Sequence, residues 1–165
     1  LTPFCIIESI DSAKQGDETG MERHYYTYLI EEEFASHYFG RESVMFKLFY
    51  DYHWTSPDQK SQLAAKQIEF ITKPIPAAHI HKRMKMNLCR EDYTQVDYVY
   101  RLIVPKGSAS FIIKDRHIEI LAKGPFDAET VFFEVLRKVS PCFLAMDFNM
   151  KRYGWLNPVK ERNFV

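Results

Sequence analysis

The sequence predicts a single α/β domain, a mixed β-sheet of about five to six strands packed with about three helices. Three observations lead there. The chain has 165 residues, 46% of them hydrophobic and 15% aromatic, enough for one ordinary core. Runs rich in Tyr, Thr, Ile and Val are interleaved with segments whose apolar residues recur at helical spacing. No internal repeat or low-complexity run divides the chain.

Arg23 to Ile30, RHYYTYLI, has strand composition. From Glu31 the run EEEFASHYFGRESVMFKLFYDYHW predicts one helix, with three acids where they complement the helix dipole. Gly40 lies inside it and marks a kink or a close backbone approach. Thr55-Ser56-Pro57-Asp58 offers a cap and a Pro at the first helical position, so a second helix runs through QKSQLAAKQIEFI and stops before Pro74 and Pro76. Ala77 to Arg90 alternates apolar and basic residues and is read as a strand, although it contains good helix formers. Tyr98 to Val104 and Ser110 to Ile113 are strands about a turn at Pro105-Lys106-Gly107. Lys114-Asp115-Arg116 turns into the strand His117 to Leu121. A helix follows from Asp127 to Val139, ended by Ser140-Pro141. Cys142 to Phe148 and Arg152 to Leu156 pair as the last strands.

Charge and length argue against several classes of function. Lys plus Arg and Asp plus Glu both number 22, so no overall basic excess draws the chain to nucleic acid or an anionic membrane. Apolar tracts such as Pro141 to Met146 are far shorter than the roughly 20 residues of a bilayer span. Cys5, Cys89 and Cys142 are widely spaced, odd in number and without CxxC, which argues for a reducing cytoplasm and for Cys89 and Cys142 as small buried hydrophobes. Residues 1–20 turn polar after Ile10 and read as a non-native or disordered extension, with Met21 as the true start. Gln15-Gly16-Asp17 can be encoded with a ribosome-binding AAGGAG just upstream of that Met codon.

Candidate catalytic and metal sites are weak. His79 and His81 on a strand would share one face, but no third ligand is marked, and Lys82, Arg83 and Lys85 oppose a cation. His53-Trp54-Thr55 matches half of the two-histidine phosphoesterase signature. Its only candidate partner, His117-Ile118-Glu119, puts a carboxylate where a phosphate-binding hydroxyl belongs. Neither G-x-S-x-G nor a phosphate-cradling Gly-rich loop occurs. The basic residues from Lys82 to Arg90, interleaved with Met84 and Met86, could support the single-strand surface of a nucleic-acid-binding regulator, but charged strand faces in contact with water are the favoured explanation of the same pattern. The expectation is therefore no catalytic residue, no metal and no cofactor.

The helix after Glu31 carries more aromatic surface than one core needs. At about 100° per residue, Phe34, Tyr38, Met45, Leu48 and Tyr52 form one stripe and Ala35, Phe39, Phe46 and Phe49 a second. Either both stripes are buried, or the Phe34/Tyr38 edge is exposed for a partner.

MERHYYTYL, EEEFASHYFGRESVMF and the C-terminal VFFEVLRKVSPCFLAMDFNMKRYGWLNPVKERNFV are similar to the SirA family of sporulation inhibitors of replication, over Met21 to Val165. The resemblance implies one domain over 21–165. It further implies an inhibitor, not an enzyme, that binds domain I of the replication initiator DnaA through its first two helices. Carried over to this chain, the partner-binding positions are Phe34, Tyr38 and Gln67; Phe70, one turn beyond Gln67, extends that face. No direct nucleic-acid or membrane contact is implied. The alternatives are the phosphoesterase built on His53 and His117 and the regulator using Lys82 to Arg90.

Overall fold

The first strand, β1 (Arg23–Ile30), lies inside a sheet and is flanked by strands from the far end of the sequence. The computed structural model describes residues 22–59, 62–125 and 127–157; the 1–20 extension lies outside them. Around β1 the chain places α1 (Glu32–His37), α2 (Glu42–Trp54), a 3-10 turn (Pro57–Gln59), α3 (Gln62–Ile71), β2 (Thr72–Lys73), α4 (Ala77–Asn87), β3 (Asp92–Val96), β4 (Val99–Val104), β5 (Gly107–Ile113), β6 (His117–Lys123), α5 (Asp127–Val139), β7 (Phe143–Asp147) and β8 (Arg152–Trp155).

The strand order is β3-β4-β5-β6-β1-β7-β8, and β2 joins β1 beyond the end of β6. Every pairing is antiparallel, so the expected mixed sheet is corrected. The described residues hold eight strands and five α-helices, more than expected of each.

Alternation along the strands builds a core on each face. Tyr25 and Leu29 of β1 enter the larger one with Tyr100, Phe111, Ile120 and Phe143, under Ile80 and Met84 of α4 and Phe132, Phe133 and Leu136 of α5. Ile30 enters the second with Leu144, Met146 and Trp155, under Met45 and Phe49 of α2 and Ile68 of α3. Covered on both sides, β7 is buried at every position: FLAM is apolar, and the Asp147 carboxylate accepts the N–H groups of Asn149 and Met150, each at 3.1 Å. Arg23 Nε donates to Glu129 Oε1 at 2.7 Å, a buried bond joining the start of β1 to α5.

Three further expectations are corrected. The long helix after Glu31 is two helices, because Gly40 takes a left-handed φ of +79° that ends α1 and re-aims the chain. Ala77 to Arg90 is not a strand: its first eleven residues form α4, since Ile80, Met84 and Leu88 fall on one side of a helix and are fully buried there. Cys89, expected inside, is exposed, while Cys142 is half-buried against the larger core. Thr55 ends α2, its hydroxyl donating to the Asp51 carbonyl at 2.6 Å, and the next α-helix starts only at Gln62.

Candidate partner-binding site

Six residues are too few for a self-supporting helix, so α1 is held by its ends. At its start the Glu31 N–H donates to the Ile71 carbonyl, the last residue of α3, at 2.8 Å. At its end the Gly40 N–H donates to Glu42 Oε1 at 2.8 Å. The same buried carboxylate oxygen accepts the indole N–H of Trp155 at 3.0 Å, so α1 is tied through Glu42 to the last strand.

Held this way, α1 sets Phe34 against α3, where its ring meets Phe70 edge-on with centroids 5.3 Å apart. Phe34 and Tyr38, one turn apart, are both half-buried against the second core; neither expected extreme, full burial or free exposure, describes them. The Tyr38 ring contacts His37 at 5.0 Å and has the Arg41 guanidinium 5.8 Å above it. Gln67 is exposed and shares a face of α3 with Phe70, which is 72% exposed.

Sequence reasoning missed Leu63, which continues that face one turn earlier and is 66% exposed. Its signal was the spacing of four and then three residues through Leu63, Gln67 and Phe70, opposite the buried Ile68. The result is a ledge of aromatic and aliphatic side chains whose neighbours carry both signs of charge, Glu32, Glu33 and Glu69 beside Arg41 and Lys66. It can bury large rings at low entropy cost.

The histidine candidates fall elsewhere. His53 meets the ring of Tyr26 edge-on at 4.9 Å, and His117 lies 5.9 Å from the same ring and 5.4 Å from that of Tyr28. His53 also stacks on Phe148 at 4.6 Å. Both imidazoles are thus packed as aromatic surface. Burial lowers the pKa of His117, and the Glu119 carboxylate lies 3.9 Å from its Nε2 and 3.0 Å from His24 Nε2. His79 and His81 are separated by the helix they occupy: His79 is exposed, while His81 Nδ1 hydrogen-bonds the Tyr100 hydroxyl. Among the described residues no three His, Cys, Asp or Glu side chains are grouped to hold a metal. No described helix is long and apolar enough to cross a membrane.

Comparison with known proteins places the chain in a family. A curated protein of Bacillus subtilis (strain 168), named sporulation inhibitor of replication protein SirA, is 69% identical over 148 residues, spanning 88% of this chain and 100% of that relative. Residues 23–160, which include α1, α3 and the buried Glu42–Trp155 tie, match the model of the family described as sporulation inhibitor of replication protein SirA, and the chain belongs to that family.

Proposed function

We propose that this chain inhibits the initiation of chromosome replication during sporulation by binding domain I of the initiator DnaA in the cytoplasm, with residues 21–165 as the working domain. Phe34 and Tyr38 of α1 and Gln67 and Phe70 of α3 make the contact. The observation that carries the reading is the packing of Phe34 on Phe70 beside the exposed Gln67 and Leu63. Two short segments far apart in sequence thereby form one apolar ledge outside the second core, as an interface core requires. No cofactor enters, because inhibition needs only a bound partner that masks a surface the initiator uses for its other contacts or that hinders its assembly at the origin.

The test is titration calorimetry of DnaA domain I against the full chain and its Phe34→Ala and Tyr38→Ala variants, with thermal melts of each. A hot-spot aromatic contributes at least about 2 kcal/mol, so each variant is expected to weaken binding by roughly thirtyfold or more. The melting temperature is expected to fall modestly with the fold retained, because both side chains are half-buried against the second core and Phe34 packs on Phe70. Unfolding of both variants, or wild-type affinity in both, would overturn the assignment.

A further inference from the structure

We infer that α4 is a second, independent contact surface, which binds the phosphate backbone of duplex DNA. Ile80 and Met84 fix the buried side of this helix, so its solvent arc carries Ala78, His79, Lys82, Lys85 and Met86, with Arg83 half-buried at the margin. No carboxylate stands on that arc. The sequence has none between Glu69 and Glu91, and none of Lys82, Arg83 and Lys85 is in an ion pair among the described residues. Arg90 follows the helix, its charge offset by the exposed carboxylates of Glu91 and Asp92 beside it. The neighbouring α5 adds the exposed Lys138, whose Nζ lies 2.9 Å from the side-chain amide of Asn87, so the cationic surface is that of α4 and Lys138. A chain of zero formal net charge therefore concentrates cations on one helix, with the acids Glu31 to Glu33 across the sheet on α1.

The side chains on this arc select the partner. A protein interface is anchored by buried aromatic or large aliphatic residues, and a membrane-surface helix inserts Trp, Phe or Leu. The α4 arc offers none; Met86 is its one large apolar side chain. What remains is flexible positive charge, suited to phosphates and not to base edges. Contacts to about four phosphates give a slope of log K against log salt of roughly −3 to −4, or about a hundredfold loss of affinity between 50 and 200 mM salt. Because α4 and the Phe34 ledge lie on opposite faces of the sheet, both can be occupied at once.

The experiment is fluorescence anisotropy of a labelled 20-base-pair duplex titrated with the full chain at 50, 100 and 200 mM salt. The expected result is sequence-independent binding with that salt slope, lowered at least tenfold by K82E/K85E and severalfold by the milder K82Q/K85Q. Both variants should melt like the parent, since both side chains are exposed. Phe34→Ala is expected to leave duplex binding unchanged, so that failure here is distinguishable from failure of the ledge. No binding at 50 mM salt, a flat salt dependence, or equal affinity in the folded K82Q/K85Q variant would overturn the inference. So would tighter binding to poly-glutamate or to anionic lipid vesicles than to the duplex, which would assign α4 to an acidic protein or a membrane.

Discussion

Trp155 donates its indole N–H to Glu42 across 3.0 Å, and through that carboxylate the last strand of the sheet governs the position of the first helix. Removing the acceptor leaves a buried indole N–H without its bond and frees the Gly40 amide. Glu42→Ala is expected to cost about 2 kcal/mol of stability, read as a lower melting temperature and a shift of tryptophan emission. Glu42→Gln keeps an acceptor and should retain most of that stability.

Gly40 isolates the backbone contribution to the same junction. A Cβ added there meets nothing within 4 Å, so only the left-handed φ of +79° opposes a side chain. Gly40→Ala is therefore expected to cost about 1 kcal/mol in a denaturant melt. Gly40→Asn should cost less, because Asn tolerates that conformation. A loss well above 2 kcal/mol from Gly40→Ala would show a steric constraint that the junction does not contain.

The edge-on pairing of Phe34 and Phe70 predicts coupling between them. A double-mutant cycle, Phe34→Ala against Phe70→Ala, should give an interaction energy of about 0.5–1.5 kcal/mol. Leu63→Ala should leave stability nearly unchanged, because that side chain is mostly exposed, while weakening partner binding measurably. Additive stabilities in the cycle would mean that the two rings do not meet in solution.

Stability should fall at both ends of the pH scale for separate reasons. Burial pushes Tyr28 up to about 12 and raises Tyr25 further, so above pH 10 the unfolded chain ionises these phenols while the folded one does not. For Tyr28 the loss begins near pH 10, is complete by about 12, and is on the order of 2–3 kcal/mol. Absorbance at 295 nm should show these phenols ionising only as the chain unfolds. At the acid end, burial lowers His117, so the unfolded state takes up its proton first and stability declines as pH drops below 6.5. His117→Gln should remove the histidine part of that decline.

Much of the fold was legible from period and composition, and the exceptions share a physical cause. β1 and α5 announce themselves because their apolar positions match one period only, and β7 because its short apolar run is bounded by Ser140-Pro141 and the turn at Asn149 to Lys151. In α4, HIHKRMKM fits alternation and helical spacing equally, and the decision comes from outside, where Ile80, Met84 and Leu88 find the larger core. β3, DYTQV, has no buried position and is a strand only because β4 offers it a ladder. At the candidate site Phe34, Tyr38 and Gln67 came from resemblance and Phe70 from helical spacing. Their assembly was not legible, because the meeting of Phe34 and Phe70 depends on the bond between Glu31 and Ile71 at the far ends of two helices.

The interior place of β1 has a consequence for how the chain comes to be folded. Its neighbours β6 and β7 are synthesised long after it, so β1 must wait for most of the described sheet before its ladders close. Long-range pairing of this kind slows folding and exposes unpaired strand edges while the chain is incomplete. The Phe34 ledge inherits that delay, because its α1 anchor runs through Glu42 to Trp155 on β8. Assembly of the ledge is thus coupled to completion: a nascent chain, or one clipped before β8, has the ledge residues but not the strand that holds them in place.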